Sequence, residues 1–223
     1  MLVRVTDYNH ADKAIKQHCD SEWSELSDVL TKMPLHLKAS DQAGKQGHPI
    51  FDPVGTNEHI RSNLQSLRWH CTIPIPGEFE FLGTDVDFAK NALVVEAQFS
   101  NYPFLLNNTI RSELFFLAGM TFGAAPTKAT VIVTKARMFP ASNSTLYYEQ
   151  AVNQLNALAL HKVFRCPIRL VGLFVERDVP IEVTWTKYSA ARYSRTVERR
   201  SSRNCIVTSG ATPTTRCVIR WSR

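Results

Sequence analysis

The sequence predicts an α/β fold with a mixed central sheet, and two observations support that prediction. Strand-like and helix-like segments alternate over most of residues 79–185, which is typical of α/β folds. The chain has 223 residues, of which 44% are hydrophobic, and this is enough for a sizeable core in one domain. We therefore treat residues 1–223 as a single domain.

The first third of the chain is predicted to contain two helical regions separated by a loop. Apolar residues recur at near-helical spacing over residues 9–33, and a break in the pattern places Ser21 as the cap of a second helix. Residues 39–55 are polar and contain several glycines and prolines, which predicts a loop. The next helix is expected to begin at a cap formed by Thr56 or Asn57.

A hairpin that follows this helix carries the main candidate site. Its first strand is predicted to end on Asp85 and Asp87, a polar turn occupies residues 89–91, and its second strand carries Glu96 and Gln98. Side chains two residues apart in a strand share a face, so three carboxylates are predicted to gather beside a core. Like charges repel and burial raises carboxyl pKa values, so such a group needs a stabilising partner. A hard divalent cation such as Mg²⁺ provides one.

The remaining elements follow from alternating apolar segments. A helix rich in leucine and phenylalanine is predicted over residues 104–118, and a second helix over 146–163. The predicted strands lie at residues 130–134, 168–175, 181–185, 205–208 and 216–221. The last two are expected to be edge strands of a second, small sheet.

Charge is unevenly distributed along the chain, and the excess is basic. The formal net charge is +6, but residues 186–223 contain nine basic residues and one acidic residue, which leaves a net charge of −2 for the rest. A basic C-terminal part of this kind suits a polyanion such as nucleic acid. The alternative is a solvated tail with no partner.

Several classes of protein are not expected from the composition. No apolar run approaches the roughly 18 residues of a membrane span, so no membrane interaction is predicted. The five cysteines are odd in number and scattered, which does not suit a disulfide framework. The first ten residues lack the apolar stretch of a signal peptide, so the cytoplasm is the expected location.

The hairpin has the residue types that hydrolysis of a phosphodiester requires. Asp87 and Glu96 fit the role of metal ligands, the carbonyl of Ala97 is a candidate third ligand, and the Gln98 amide can orient a water molecule. An Asp followed by Glu-x-(polar) is typical of the PD-(D/E)xK nucleases, although the last position is usually Lys and the first Asp usually follows Pro rather than Val86. The alternative is an exposed hairpin whose polar face has no catalytic role.

Longer stretches of the sequence make the comparison more specific. They are TDYNHAD at residues 6–12, KMPLHLKASDQA at 32–43, IFDPVGTN at 50–57, IPIP at 73–76, FLGTDVDF at 81–88, VEAQFSNYPFLLNN at 95–108, MFPASNSTLYYEQ at 138–150, PIRLVGL at 167–173 and RYSRT at 192–196. In these stretches, which are spread over most of residues 1–196, the chain resembles the BglII-type restriction endonucleases.

This resemblance implies a restriction-endonuclease-like core with a smaller β-sandwich subdomain, to which residues from about 186 to 223 contribute. It implies a homodimer that cuts double-stranded DNA at AGATCT, between A and G, with Mg²⁺, as part of a restriction-modification system. Asp87 and Glu96 correspond to the active-site carboxylates, and Gln98 stands where this family itself has Gln. Thr72 departs from the pattern, since the resemblance leads us to expect an Asn there, facing the site.

The resemblance also implies DNA contacts in three loops. Asn recognises adenine through a paired donor and acceptor, Ser can serve either role, and Arg binds guanine or phosphate. Without the resemblance, the Ser-Asn pairs would be ordinary turn residues. The helices at 104–118 and 146–163 are candidates for the dimer interface. The implied DNA contacts are Ser100, Asn101, Asn143, Ser144, Tyr193, Ser194 and Arg195.

Two other functions remain open on the sequence alone. One is a sequence-specific DNA-binding protein that does not cleave, because Gln98 and Thr72 depart from the common nuclease pattern. The other is an α/β protein whose basic C-terminal part binds RNA or an anionic surface. The intact pair Asp87 and Glu96 favours cleavage over the first, and the Ser-Asn loops favour DNA recognition over the second.

Overall fold

A computed structural model of the chain describes residues 1–141, 145–190, 195–209 and 216–222. The helices are α1 (Ala11–His18), α2 (Asp20–Lys32), α3 (Pro53–Ser66), α4 (Phe104–Leu117) and α5 (Tyr148–Leu160), with a 3₁₀ helix at Gly77–Leu82. The strands are β1 (Leu2–Tyr8), β2 (Leu35–Ala39), β3 (Pro49–Phe51), β4 (His70–Pro74), β5 (Asp85–Lys90), β6 (Leu93–Ala97), β7 (Ala129–Lys135), β8 (Ile168–Phe174), β9 (Pro180–Tyr188), β10 (Val197–Thr208) and β11 (Val218–Trp221).

The central sheet has six strands in the order β1-β8-β7-β6-β5-β4. Strands β6, β7 and β8 are parallel, and the other three pair antiparallel with their neighbours. Parallel neighbours need a crossover connection, which α4 and α5 provide. Every residue of β7 and β8 is buried, as expected of parallel strands covered on both faces.

The second sheet has five strands in the order β11-β10-β9-β2-β3. Within it β2 and β9 are parallel, whereas β9, β10 and β11 form an antiparallel meander. Tyr188, at the end of β9, donates a 2.7 Å hydrogen bond to the buried carboxylate of Asp52. Asp52 also caps α3 by accepting from the Val54 N–H, so the second sheet is joined to a helix beside the central one. The predicted α/β architecture with a second, smaller β unit is therefore confirmed.

The hairpin β5–β6 lies within the central sheet, one strand from its edge. Its turn consists of Asn91 and Ala92, with Asn91 in the left-handed conformation at φ 48°. Gly123 passes so close to this turn that a Cβ there would lie 2.4 Å from the Asn91 carbonyl oxygen. The hairpin is thus held at its closed end by backbone packing that only glycine permits.

Some predicted elements differ from those observed. The predicted loop at 39–55 contains β3, and α3 begins at Pro53 rather than after Thr56, because Asp52 followed by Pro is itself a strong helix start. The hairpin's first strand begins at Asp85, and the residues before it form the 3₁₀ helix. Strand β1 was not predicted. The break between α1 and α2, the helix at 104–118 and the strand at β7 are confirmed.

Two expectations from composition can be compared with the structure. In the part of the chain that the structure describes, no helix is long and apolar enough to cross a membrane. No disulfide joins any of the five cysteines, all of which lie in the described part of the chain.

Candidate active site

The two carboxylates predicted to carry the chemistry lie opposite each other in the hairpin. Phe88 pairs with Val95, so the register sets Asp87 across from Glu96. The Asp87 carboxylate accepts a 2.8 Å hydrogen bond from the Ala97 N–H. This bond fixes Asp87 to the backbone of the neighbouring strand.

Burial makes both carboxylates hard to ionise. Glu96 is only 2% exposed, and burial raises its pKa to about 8 despite the opposing effect of Arg111. Burial also raises the pKa of Asp87, although the bond from the Ala97 N–H opposes the shift. Perturbed pKa values of this kind cluster at functional sites. The pair is therefore a site at which a cation would be bound favourably.

A buried arginine contacts one carboxylate of the acidic pair. Arg111, from α4, places Nη2 2.6 Å from Glu96 Oε1, and both side chains are almost completely buried. Its Nη1 also donates to the Asp85 carbonyl at 3.2 Å. In the common nuclease pattern a lysine two residues after the glutamate supplies a positive charge. Here Gln98 stands at that position, and Arg111 supplies the positive charge beside Glu96. The guanidinium enters from a helix and not from the strand.

Gln98 connects the carboxylates to the loop that follows them. Its amide nitrogen donates to Ser100 Oγ at 3.1 Å and to the Asn101 carbonyl at 3.2 Å. Its Oε1 accepts from Asn108 of α4 at 3.1 Å. Both amide hydrogens are therefore used, and only the second lone pair of Oε1 is left for a water molecule.

Thr72 lies in a strained stretch of β4 on the other side of Asp87. Cys71 pairs with Phe88 and Ile73 with Val86, which sets Thr72 across from Asp87. Its φ is 54°, in the left-handed region that a β-branched residue seldom occupies. The Thr72 hydroxyl accepts a hydrogen bond from Arg61 of α3.

A cavity of about 420 Å³ opens where the hairpin ends. Ala97 and Ser100 line one side of it, and Arg61 and Arg195 contribute two positive charges against the single carboxylate of Glu58. The structure therefore brings together a predicted metal ligand and two predicted DNA contacts. Asn101 is exposed beside Ser100. The other implied contacts lie outside the described residues: Asn143, Ser144, Tyr193 and Ser194.

Comparisons with known proteins bear directly on this geometry. A family profile described as restriction endonuclease BglII/BglIII matches residues 3–173. A curated relative, the type II restriction enzyme BglII of Bacillus subtilis, is 53% identical over 216 residues, which cover 97% of this chain and 96% of the relative.

The chain belongs to the BglII family of restriction endonucleases. The expected class of function, a type II restriction endonuclease and hence a site-specific deoxyribonuclease, is confirmed by this membership. Two solved structures of family members cover all of this chain and are themselves fully covered by it. A crystal structure of BglII complexed with a DNA 16-mer gives a TM-score of 0.95 at 51% identity. A crystal structure of free BglII gives 0.78 at 47% identity. The fold class is therefore confirmed.

Three residues of this site were not identified from the sequence. Arg61 comes from the helix α3 that precedes the hairpin, and Asn108 and Arg111 come from the helix α4 that follows it. The signal for the last two was a polar Asn and a charged Arg, three residues apart, within a helix otherwise rich in Leu and Phe. Residues at that spacing share a helix face, so a buried helix carrying them needs polar partners.

The oxygen donors of the site suit a hard divalent cation, but few of them are side chains. Asp87, Glu96 and the Ala97 carbonyl provide oxygen atoms of the kind that Mg²⁺ prefers. Throughout residues 1–141, 145–190, 195–209 and 216–222, no group of three or more His, Cys, Asp or Glu side chains is arranged to hold a metal. A bound cation would therefore depend on two carboxylates, with the backbone, water or DNA completing its coordination.

The backbone strain at Thr72 gives a first prediction. Thr72→Asn replaces a β-branched residue by one that tolerates the left-handed region, and its side-chain oxygen can still accept from Arg61. We expect the free energy of unfolding to rise by about 1 kcal/mol and the Tm by about 2–4 °C, measured by thermal and urea denaturation.

The control for this prediction is Thr84→Asn, at an exposed threonine with ordinary φ. It should change stability by less than about 0.5 kcal/mol. A Thr72→Asn variant no more stable than wild type would contradict the assignment of strain to this residue.

Proposed function

We propose that this chain is a Mg²⁺-dependent endonuclease that binds double-stranded DNA as a homodimer and cuts AGATCT between A and G, leaving 5′ overhangs. The observation that carries the proposal is the facing pair of half-buried Asp87 and buried Glu96, both with raised pKa values. Glu96 lies only a few residues before Ser100 and Asn101. The BglII relative bound to a DNA 16-mer supports duplex DNA as the ligand. The cytoplasm is the proposed location.

The proposed metal ligands are Asp87, Glu96 and the carbonyl of Ala97. When bound there, Mg²⁺ supplies Lewis acidity toward the phosphate and lowers the pKa of a coordinated water. The hydrogen bond from the Ala97 N–H holds the Asp87 carboxylate in place, so the orientation of this ligand is set before the metal binds. A bound cation would stabilise the ionised form of Glu96, whose carboxylate is buried and hard to ionise. Arg111 balances the Glu96 charge when no cation is present.

Gln98 and Thr72 are proposed to position the attacking water. The Gln98 Oε1 has one lone pair left, which can accept from a water molecule in front of the strand. The Thr72 hydroxyl, across from Asp87, is held by Arg61. Arg61 thereby brings a positive charge to the same side of Asp87, where a phosphate would enter.

DNA recognition is proposed to use residues of three loops. Ser100 and Asn101 follow the catalytic strand directly and are exposed, so their side chains can reach base edges. Arg195 lines the cavity and can bind a phosphate or a guanine. Asn143, Ser144, Tyr193 and Ser194 remain proposed contacts on the strength of the family resemblance.

Helix α4 supports the proposed dimer, because it buries several polar residues and exposes several apolar ones. Its polar residues Asn108, Arg111 and Ser112 are buried toward the site. On its other face Leu106, Ile110 and Leu117 are 42–54% exposed. An exposed apolar face of this kind commonly marks a protein–protein contact. A second copy is the proposed occupant, since a palindromic site is matched by two-fold symmetry.

A cleavage assay tests the proposed reaction. We expect plasmid DNA with a single AGATCT to be linearised in Mg²⁺ and left intact in EDTA. Asp87→Asn should lower the cleavage rate by roughly a thousandfold or more, since it removes a metal ligand, while a gel-shift assay should still detect specific binding.

Asp28→Asn, on the exposed surface of α2, is the matched control and should cleave like wild type. A wild-type protein that shifts the plasmid without cutting it would favour the non-cleaving alternative. Binding without sequence preference would favour a purely electrostatic partner. Cleavage retained by Asp87→Asn would overturn the metal assignment.

The raised pKa values predict how Mg²⁺ affinity depends on pH. Only the ionised carboxylates bind the cation, and the pKa of Glu96 is about 8. Below that pH, each unit of acidification reduces the ionised fraction of Glu96 up to tenfold. We expect the Mg²⁺ concentration for half-maximal cleavage to rise by up to tenfold per unit from pH 8 to pH 6, and to level off above pH 8.5. A Mg²⁺ requirement that does not change over this range would count against Glu96 as a ligand.

The dimer proposal is tested by a charge on the exposed face of α4. Ile110→Asp should convert the dimer to a single chain in sedimentation or light scattering, because an unpaired carboxylate would be buried at the interface. Leu2→Asp, at an apolar residue that is also about half exposed but lies on β1, should leave the mass unchanged. A dimeric Ile110→Asp variant would place the interface elsewhere.

A further inference from the structure

Lys135 is a buried cation that the proposed reaction does not use. It is the last residue of β7 and is only 1% exposed. Its ammonium donates to the Phe99 carbonyl at 2.9 Å, to the Leu146 carbonyl at 3.1 Å, and to the Thr145 hydroxyl. An ammonium has three hydrogens, so all of its donors are used.

Burying this charge costs free energy that the surroundings only partly offset. No carboxylate lies within ion-pair distance of Lys135 in the described part of the chain. Its other close partners are aromatic, with the nitrogen 5.4 Å from the centre of the Phe51 ring and 5.1 Å from that of Tyr147. Burial lowers the pKa of Lys135 to about 7. A methionine would fill the same space at a lower cost in free energy. The hydrogen bonds of the ammonium are therefore expected to have a role other than stability.

Those bonds meet at one junction beside the proposed reading segment, Ser100 and Asn101. Phe99 directly precedes that segment. The Leu146 N–H donates to the Ser100 carbonyl at 2.8 Å, and Asn101 forms a β-bridge with Thr145. The Thr145 hydroxyl, besides accepting from Lys135, donates to the Phe99 carbonyl at 2.7 Å. Lys135 thus joins the start of the reading segment to the chain that pairs with it.

We propose that Lys135 is a positioning residue that sets the sequence specificity of cleavage by fixing Ser100 and Asn101 relative to the sheet. The proposal rests on the proposed function, in which these two residues contact bases. Their polar groups discriminate between base pairs only if they are held at hydrogen-bond distance from the correct edge. Without the ammonium, the Leu146 carbonyl loses its strongest partner and the segment gains freedom to adjust to incorrect base pairs.

The catalytic hairpin does not depend on the same bonds. Asp87 is held by the Ala97 N–H and Glu96 by Arg111, whereas the hydrogen bonds of Lys135 go to Phe99, Thr145 and Leu146. The loss of Lys135 should therefore affect discrimination more than the rate of cleavage at the correct site.

The experiment compares cleavage of AGATCT with cleavage of duplexes changed at one base pair, at saturating Mg²⁺ and well below the Tm. Lys135→Met keeps the length of the side chain and removes its charge. We expect the ratio of cleavage rates, correct site over altered sites, to fall at least tenfold. Lys135→Arg, which keeps a cation and donors, should restore part of the ratio. Hydrogen exchange at the Leu146 amide, measured on the same proteins, should be faster in Lys135→Met.

Two further variants separate positioning from simple loss of stability. Thr130→Val alters another fully buried polar residue of β7 and should keep the wild-type ratio. Among the described residues, the Thr130 hydroxyl is hydrogen-bonded to the Cys166 thiol at 3.9 Å and not to the reading segment. Thr145→Val removes one acceptor of the ammonium with a smaller change to the core. If Lys135→Met does not fold, the ratio measured for Thr145→Val decides the question in its place.

The outcomes are distinct. A folded Lys135→Met with the wild-type ratio overturns the proposal, and so does an equal fall in Thr130→Val. If the wild-type protein does not cut DNA site-specifically, the proposed function itself is wrong, whatever the variants do. A lower ratio in Lys135→Met, with faster exchange at Leu146 and recovery in Lys135→Arg, supports Lys135 as the positioning residue.

Discussion

The buried ion pair between Glu96 and Arg111 is the interaction on which the site depends. Removing one partner of such a pair leaves an uncompensated charge and typically costs about 3–5 kcal/mol. Glu96 is fixed by the register of β5 and β6, so Arg111 must reach it from outside the sheet. That requirement determines the orientation of α4, which turns Asn108, Arg111 and Ser112 inward. The helix then leaves Leu106, Ile110 and Leu117 on the outside, so the constraint that neutralises the acid also creates the apolar face proposed for the dimer.

The acidic pair could be predicted from the sequence because its geometry is local. Asp87 and Glu96 lie on adjacent strands of one hairpin, and alternation along each strand decides which side chains share a face. The exact turn was wrong by about one residue, yet the pairing is not affected, because the register is fixed by the buried partners Phe88 and Val95. The family resemblance added the fold and the class of reaction, which the pattern of acids alone does not determine.

Residues that reach the site from other elements could not be predicted in the same way. Arg61 and Arg111 belong to helices whose rotation depends on packing between distant parts of the chain, and nothing in their local sequence determines it. Strand β1 was missed because its partner, β8, lies more than 160 residues away. Gln98 was predicted to orient a water, and the bonds of its amide hydrogens to Ser100 and Asn101 restrict that proposed role to the free lone pair of Oε1. A residue type suggests what chemistry is possible, but its hydrogen-bond partners decide what remains available.

The hydrogen-bond partners of Gln98 join the proposed cleavage site to the proposed reading segment over a very short distance. The Gln98 amide is bonded to α4 through Asn108 and to the segment through Ser100 and Asn101. Lys135 holds the same segment from the opposite side, through Phe99 and Thr145. A base that displaces Ser100 or Asn101 would therefore also displace Gln98, because close-packed interiors transmit strain. In the proposed function Gln98 positions the attacking water, so an incorrect base pair would weaken binding and also disturb that water. Discrimination at the chemical step can then exceed discrimination in binding.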